Sequence, residues 1–438
     1  MDWWLILIVI FGCLILLMAS GMPVAFAFLL ISISTAGIMW GGFSGLRQVI
    51  LSMEGSITTF ILLPIPLFVL MGELLFHSGM GLRAIDVLDK WMGRMPGRLG
   101  LLSVASGTLF ASLTGTSMGS VAMLGSVLVP EMERRGYKKP MSLGPILGSG
   151  GLAIMIPPTS LGVVVASIGQ FSVGRLLMAI IMPALVMAAF FAIYVILRCW
   201  LQPYLAPSYP TEPISISEKM VLTARYVLPL ALVVFLVTGV IFLGIATPSE
   251  AAATGAFGSL ALAIAYNGLN WEMLNKSIMG TVQISVFIMF IIAGSTIFSQ
   301  ILAFSGAVAG LMRAVLGIHI APIYLVVAMQ IVVFLLGCLM DQLAIIMITM
   351  PIFMPLINTL GFDPVWFGTM YLLNMEIATV SPPFGMSLFV MKGVASPDTS
   401  MRDVYTASLP FIALELMTMG LILIYPPLAL WLPGLMRR

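Results

Sequence analysis

The segment GSGGLAIMIPPTS, residues 148–160, interrupts an apolar stretch with glycines at one end and a proline pair at the other. A second segment, ATVSPPFG at residues 378–385, places another proline pair 225 residues after the first. Proline removes a backbone donor and frees the carbonyl four residues before it, so each pair should break a helix. Irregular backbone at membrane depth persists only where protein buries it or where it lines a cavity. The two segments therefore predict a pair of broken membrane helices.

The composition makes lipid the expected solvent of this chain. Of its 438 residues, 61% are hydrophobic and 8% are charged, whereas a soluble domain carries about 25% charged residues. A spanning helix needs roughly 20 apolar residues. On this basis we predict ten spans, at 3–20, 22–42, 57–80, 141–166, 176–200, 226–246, 249–267, 278–303, 366–391 and 404–432.

Two further apolar segments, 99–130 and 322–360, are interrupted near their middle and are predicted to be re-entrant hairpins. The tip of the first reads SLTGTSMGS, residues 112–120, and the tip of the second reads GCLMDQ, residues 337–342. A shift of 225 residues aligns both tips and both proline pairs, so we predict a duplicated unit.

Lysine and arginine predict how the two halves lie in the membrane. With two hairpins, 14 of the 19 basic residues fall on one face, which should be cytoplasmic. The halves then have opposite orientations. The predicted fold is thus an all-α polytopic membrane protein with an inverted repeat, two re-entrant hairpins and broken helices. The other five basic residues are Arg47, Arg175, Arg313, Arg437 and Arg438.

The interrupted segments carry the expected chemistry. Freed carbonyls, hydroxyls and one carboxylate suit a hard cation such as Na⁺, and the N-termini of the resumed half-helices suit an organic anion. One tip paired with one broken span in each half would give two cation sites beside one anion site. The predicted Na⁺ ligands are Ser112, Thr114, Gly115, Ser149, Gly151, Met340, Asp341, Thr379, Ser381 and Pro382. The predicted substrate-binding residues are Thr116, Ser117, Pro158, Thr159, Ser160, Pro383 and Gly385.

Other interpretations of these residues stay open at this point. Clusters of Gly, Ser and Thr often serve only to let membrane helices pack closely, and a proline pair can be a simple kink. Among the remaining acidic residues, Glu376 is expected to brace the second broken span. Glu73 and Glu250 are expected to be structural or interfacial, and Glu415 to lie near an interface.

Several functional classes lack their signatures. The chain has no phosphate-binding loop, nucleophile elbow, HExxH or dinucleotide motif, so neither an ATP-driven motor nor an enzyme is expected, and no catalytic residue is predicted. Three separated cysteines and two isolated histidines indicate no disulfide framework and no Cys/His metal centre. A net charge of +2 does not indicate nucleic acid as a partner.

Nearly the whole chain resembles the large membrane subunit of tripartite ATP-independent periplasmic (TRAP) transporters. In the first half the resemblance rests on SLTGTS at 112–117, on 125–137 and on IPPT at 156–159. In the second half it rests on Met340-Asp341, on Pro351 through Gly368, and on Asn374 through Val390.

The resemblance implies an elevator-type secondary transporter of the bacterial inner membrane, driven by a Na⁺ gradient. It implies a separate small four-helix membrane subunit and a periplasmic binding protein as partners, with no organic cofactor. The scaffold would be 1–82 and 226–304, and the arm helices 83–98 and 305–320. The transport domain would be 99–200 and 321–438, and 201–225 a linker with an interfacial helix.

The substrate expected from this resemblance is a small organic anion, a carboxylate or a sulfonate. Two other functions remain possible on the sequence alone. One is a cation-coupled anion symporter that needs no binding protein, and the other is an ion channel.

Overall fold

The computed structural model describes residues 2–93, 95–114, 116–207, 209, 214–266, 268–317, 320–338 and 340–436, without the side chains of 111–114. Within these ranges the chain is helical and forms no strand. The helices of the first half are α1 (Trp3–Ala19), α2 (Val24–Met39), α3 (Phe43–Ile57), α4 (Pro64–His77), α5 (Met80–Met92), α6 (Arg98–Thr114), α7 (Ser117–Arg134), α8 (Lys139–Met155), α9 (Ser160–Ile168), α10 (Val173–Ala179) and α11 (Ile181–Leu201).

The second half follows the same order of elements. Its helices are α12 (Ile216–Leu222), α13 (Leu228–Phe242), α14 (Pro248–Ala265), α15 (Trp271–Phe304), α16 (Ala307–Leu316), α17 (Pro322–Gly337), α18 (Gln342–Thr359), α19 (Pro364–Thr379), α20 (Met386–Val394), α21 (Met401–Ile424) and α22 (Pro427–Gly434).

The predicted duplication appears in the helix boundaries. The pairs α1/α13, α7/α18 and α8/α19 each begin 225 residues apart. The turns before α8 and α19 both use a left-handed glycine, Gly136 with φ 82° and Gly361 with φ 78°. Such backbone is strained for residues that carry a Cβ. The bonds Pro157–Pro158 and Pro382–Pro383 are both cis. The opposite orientation of the two halves stays a prediction.

Six of the described helical stretches are long and apolar enough to cross a membrane. A seventh is the pair α8 and α9, which meet at an angle of 49°. The helices at the predicted spans 3–20 and 22–42 contain 17 and 16 residues. The six stretches are Phe60–His77, Val173–Leu201, Ile216–Phe242, Trp271–Phe304, Gln342–Thr359 and Met401–Ile424.

Several predicted boundaries differ from the observed ones. The span predicted at 278–303 begins earlier, because Trp271–Phe304 is one helix of 34 residues. The helix expected within 201–225 runs through a π-helical segment, Thr223–Val227, into α13 without a break. Helix α3 lies between two predicted spans and was missed. Its buried residues Gly45, Val49 and Ser52 form only one narrow stripe. Arg47, Gln48 and Glu54 lower its average hydropathy.

Helices α8 and α19 form the centre of the protein. All residues from Met141 to Met155 are buried, as are all those from Val365 to Thr379. A helix that is buried on every side is surrounded by other elements. Helices α6, α7, α11 and α21 pack around α8, and α17, α18 and α21 pack around α19. The two broken spans therefore begin inside the core, with a hairpin against each.

Candidate functional site

The two hairpin tips have the same local construction. Thr116 is the N-cap of α7, and its Oγ1 accepts a hydrogen bond of 3.2 Å from the Gly119 amide. Asp341 is the N-cap of α18, and its carboxylate accepts hydrogen bonds of 3.2 and 3.4 Å from the Ala344 amide. An N-cap side chain accepts a hydrogen bond from one of the unpaired amides at the start of a helix. The alignment of Thr116 with Asp341 therefore reflects equivalent positions in the fold.

Ser117 connects the first tip to the second half of the chain. It is the first residue of α7 and is buried. Its hydroxyl donates a hydrogen bond of 2.6 Å to Oε2 of Glu376 in α19. The predicted substrate-binding residue Ser117 thus has a partner within the protein that the sequence pattern did not indicate.

Three predicted Na⁺ ligands cannot be placed with their side chains. Ser112 and Thr114 lie in the last turn of α6, but their side chains are outside the described residues. Gly115 is itself outside the described residues. Met340 is described and directly precedes Asp341, so the second tip is the better defined of the two.

The first broken span changes direction between Met155 and Ser160. Thr159 is the N-cap of α9 and is fully buried, and in the described part of the chain its Oγ1 has no hydrogen-bond partner. An orphaned buried hydroxyl is unfavourable unless a ligand or water satisfies it. Ser160 and Pro158 are buried beside it. The binding role of Thr159 stays a prediction.

Ser149 and Gly151, two predicted Na⁺ ligands, lie in the last two turns of α8. The Ser149 hydroxyl donates a hydrogen bond of 3.3 Å to the Ile146 carbonyl in its own helix, and its Cβ lies against Gly107 of α6. Gly151 faces Glu376, and a methyl group in place of its hydrogen would lie 2.7 Å from Cγ of that residue. Both positions serve close helix packing in this structure, which was the alternative interpretation.

The second broken span gathers carbonyl oxygens around Gly385. A Cβ at this position would lie 2.7 Å from the Ser381 carbonyl oxygen and nearer still to that of Thr379. The Thr379 hydroxyl donates to the Glu376 carbonyl oxygen at 2.8 Å and to Glu376 Oε1 at 3.1 Å. The Ser381 hydroxyl donates to the Ile377 carbonyl at 2.6 Å. Main-chain carbonyl oxygens of a broken membrane helix are the kind of donor that a hard cation uses.

The prolines of this second span differ in exposure. Pro382 is half-buried. Pro383 is exposed, and its carbonyl accepts a hydrogen bond of 2.9 Å from the Tyr405 hydroxyl.

Gly385 is the N-cap of α20, a helix of nine residues. Its equivalent in the first half, α9, also has nine residues. Both half-helices therefore resume directly after their proline pair, as predicted.

Each hairpin packs against both halves of the protein. Helix α7 contacts α8 of its own half and α20 of the other, while α18 contacts α19 of its own half and α9 of the other. One such contact is Gly125 of α7, which lies against Val394 of α20. We had expected each tip to pair with the broken span of its own half. That expectation covered only part of the arrangement, because the second segment of each span crosses to the other hairpin.

Glu415 is the clearest correction among the acidic residues. It was expected near an interface, but it is fully buried in α21, and neither carboxylate oxygen has a hydrogen-bond partner among the described residues. Hydropathy averaging could not place it, because burial here depends on the packing of α21 against α8 and α19. Glu376 was expected to brace the second span, and its bond to Thr379 agrees with that role.

A large cavity lies elsewhere in the described structure. Its volume is about 1590 Å³, and its walls come from α3, the turn between α9 and α10, α15 and α18. The described lining residues are uncharged, with polar groups such as Gln48, Ser52, Ser295 and Gln300. None of the predicted site residues lines this cavity. The predicted site is therefore separate from this cavity, which the sequence did not indicate.

The comparison with known families decides what kind of protein carries this site. The model of the tripartite ATP-independent periplasmic transporter, DctM component, matches residues 11–428. The chain belongs to this family. DctM proteins are transport permeases, which confirms the prediction that the chain is not an enzyme.

Curated relatives of this DctM-family permease extend over most of its length. It is 30% identical over 378 residues to the C4-dicarboxylate TRAP transporter large permease protein DctM of Pseudomonas aeruginosa, with 86% of each chain covered. It is 29% identical to the DctM protein of Rhodobacter capsulatus, with 98% of this chain and 99% of the relative covered. It is 27% identical to the sialic acid TRAP transporter large permease protein SiaM of Vibrio cholerae, with 97% and 98% covered.

A solved structure shows the same fold at low sequence identity. The YdaH transporter of Alcanivorax borkumensis superposes with a TM-score of 0.65 at 14% identity and covers 91% of this permease and 96% of its own chain. This likeness concerns the fold alone. Together with the apolar helices of the described residues, it confirms the predicted all-α polytopic membrane fold.

Proposed function

We propose that this permease is the large subunit of a secondary transporter of the bacterial inner membrane that imports a small organic anion. A periplasmic binding protein would deliver the anion, and a small four-helix membrane subunit would complete the membrane complex. A Na⁺ gradient would drive import, and an elevator movement would carry the site across the membrane. The proposed cargo is a carboxylate or a sulfonate.

The names of the relatives support this class of cargo. They refer to C4-dicarboxylates, sialic acid and 2,3-diketo-L-gulonate, and one further relative is an isethionate permease named DctMQ. That relative is longer, since the alignment covers 97% of this chain and 66% of the other. Another relative is named as an ectoine permease, but the other substrates in these names are organic acids, which is why an anion is the proposed substrate here.

The observation that carries the proposal is the carbonyl cluster at Gly385. The Thr379 and Ser381 carbonyl oxygens both lie next to the Cα of Gly385, so close that a Cβ there would collide with them, and the Ser381 oxygen also accepts a hydrogen bond of 3.0 Å from the Gly385 amide. Together with the carboxylate of Asp341, which belongs to the same half, these two carbonyls would supply oxygen ligands of the kind that Na⁺ prefers. Na⁺ would be transported together with the anion. A second Na⁺ site, in the first half, would use the equivalent segments.

The anion would bind where half-helices begin. Helices α9 and α20 start directly after the proline pairs, and their unpaired amides carry positive partial charge. Thr159 at the start of α9 offers a buried hydroxyl that lacks a partner among the described residues. An anion held in this way would need no buried Lys or Arg. A site without a fixed full charge also releases its ligand more readily, which a carrier requires.

The experiment uses the full chain in nanodiscs, with thermal stability measured against NaCl while KCl keeps the ionic strength constant. A ligand that binds only the folded state raises the unfolding midpoint by mass action. We expect a saturable, Na⁺-specific rise. Asp341→Asn should weaken it more than Glu73→Gln, because Glu73 pairs with His77 at 3.2 Å, away from the tips.

Two results would contradict the proposal. The first is a midpoint that responds equally to Na⁺ and K⁺ for the native chain. The second comes from proteoliposomes that contain the permease and both proposed partners. Uptake of a radiolabelled C4-dicarboxylate or sialic acid at the same rate with and without a Na⁺ gradient would show that import is not driven by Na⁺. Equal loss of the Na⁺ response in Asp341→Asn and Glu73→Gln would show that Asp341 is not a specific Na⁺ ligand.

A further inference from the structure

Glu376 lies at the meeting point of the two halves. It is fully buried in the last turn of α19. Its Oε2 accepts the hydroxyl of Ser117 at 2.6 Å, and its Oε1 accepts the hydroxyl of Thr379 at 3.1 Å. One carboxylate oxygen therefore faces the first hairpin, and the other faces the second broken span.

A third segment meets the same side chain. Gly151 of α8 is so close that a Cβ there would lie 3.0 Å from Oε1 of Glu376. The neighbouring Gly150 lies against Val121 of α7 in the same way. The start of α7, the end of α8 and the end of α19 are thus packed around one carboxylate. A displacement of any one of them changes the contacts of the other two.

Glu376 also forms hydrogen bonds with the hydroxyls of residues in two ligand-binding segments. A buried carboxylate is unfavourable unless it is paired or hydrogen-bonded, and within the described structure Glu376 takes part in no ion pair. Its two donors, Ser117 and Thr379, come from residues proposed for the anion site and a cation site. Hydrogen bonds keep to a narrow range of lengths and angles. They fix where both donors stand relative to each other.

We infer that Glu376 is a positioning residue that couples the ligand-binding segments of the two halves. When a ligand binds in one half, it immobilises the binding segment of that half. The hydrogen bonds of Glu376 then restrict the position of the binding segment in the other half. Binding at the two halves is then cooperative. This inference rests on the proposed function, because it assigns a linkage between the sites proposed there. Coupling between two sites typically changes an affinity about 5-fold to 150-fold.

The test measures how steeply the thermal midpoint rises with NaCl, at constant ionic strength, for the full chain in nanodiscs. The native chain should give a steep curve. Glu376→Gln keeps the size of the side chain, but it leaves one acceptor oxygen where the carboxylate has two, so the hydroxyls of Ser117 and Thr379 can no longer both donate to it. We expect half-saturating Na⁺ to rise at least about 5-fold and the Hill coefficient to fall to about one. Na⁺ should still saturate the site.

Milder variants keep the test decisive if Glu376→Gln folds poorly. Ser117→Ala and Thr379→Val each remove one of the two hydrogen bonds and little volume. Each should lower the Hill coefficient, and the double variant should lower it no further than Glu376→Gln does, because all three break one linkage. Glu272→Gln is the matched control, since Glu272 is exposed and pairs only with Lys276. Its curve should coincide with that of the native chain.

A purely structural brace would give a different result. In that case Glu376→Gln lowers the midpoint at every Na⁺ concentration and leaves half-saturation and steepness unchanged, which would overturn the inference alone. Absence of any Na⁺-specific response in the native chain would overturn the proposed coupling and this linkage together. A reduced Hill coefficient in the three site variants but not in Glu272→Gln would support both.

Discussion

The hydroxyl of Ser295 in α15 donates a hydrogen bond of 3.3 Å to the main-chain carbonyl of Met347 in α18. Met347 stands four residues before Pro351, which has no N–H to offer this carbonyl. A side chain from another helix thus satisfies an acceptor that the proline leaves free. The bond joins the proposed scaffold, which contains α15, to the proposed transport domain, which contains α18.

Replacement of Ser295 tests this contact. Ser295→Ala leaves the Met347 carbonyl buried without its donor, so we expect the free energy of unfolding to fall by about 1–3 kcal/mol. Thermal unfolding in nanodiscs measures the effect. Ser299→Ala is the control, because the Ser299 hydroxyl donates within its own helix to the Ser295 carbonyl. Equal losses in both variants would show that the contact with α18 adds nothing.

Glycine at position 385 should be irreplaceable for a steric reason. In Gly385→Ala the new methyl group would collide with main-chain carbonyl oxygens of Thr379 and Ser381, which cannot move as a flexible side chain can. We expect a loss of several kcal/mol, in the range of severe backbone and overpacking effects. Gly393→Ala in the same helix α20 meets nothing within 4 Å. It should be neutral or slightly stabilising, because alanine favours helix.

The comparison of these two variants also informs the proposed cation site. Both can be measured by thermal unfolding and by the Na⁺ response of the midpoint. Gly385→Ala should weaken the Na⁺ response of whatever fraction folds, whereas Gly393→Ala should retain it. A folded Gly385→Ala protein with the native response would show that the carbonyl cluster does not hold the ion.

Glu415 should reduce the stability of the protein. Its two carboxylate oxygens are buried and lack partners among the described residues. A second buried acid, Glu376 of α19, is close enough to interact with it electrostatically. Glu415→Met keeps a similar volume and removes the desolvated polar group, so the free energy of unfolding should rise by about 1–3 kcal/mol.

Chemical or thermal unfolding of Glu415→Met measures this change. Glu272→Met at an exposed position should stay within about 0.5 kcal/mol of the native chain. A loss of stability in Glu415→Met would contradict the prediction and would show that this carboxylate has a partner in the working protein.

Lys139 supports a pH prediction at the very start of α8, before the predicted span at 141–166. Its ammonium group contacts Glu133 at 2.8 Å and Asp398 at 3.2 Å, together with the hydroxyls of Ser396 and Thr399. Burial lowers the pKa of Lys139, but the hydrogen bonds and charges of Glu133 and Asp398 outweigh it and hold this pKa above its ordinary value. A raised pKa in the folded state means that the stabilisation is complete below the ordinary lysine pKa. It is lost as the pH rises through the folded-state value.

Melting curves of the native chain and of Lys139→Met measure this effect between pH 6 and about pH 11, beyond the ordinary lysine pKa near 10.4. The native chain should melt higher at neutral pH, and the difference should shrink above about pH 10. Lys276→Met is the control, because Lys276 forms an exposed pair with Glu272, and such pairs contribute little. A difference that is constant across the whole range would exclude the titration of Lys139 as its cause.

The sequence alone determined the class of fold and the places where its helices break. Helix boundaries in lipid follow from apolar length and from proline, which are local properties. The proline pairs at 157–158 and 382–383 and the tips at 116 and 341 therefore stand where they were predicted. The amphipathic helix α3 was missed, because only packing against α2 and α15 reveals its buried stripe.

Only the tertiary structure decided which segments meet. The sequence paired each tip with the broken span of its own half, yet α20 packs against α7 and α9 against α18. It also could not show that Glu376 receives Ser117 from 259 residues away, or that Glu415 is wholly enclosed. Contacts between distant segments depend on how closely helices approach, and glycines such as Gly148 and Gly151 permit that approach only once their partners are in place.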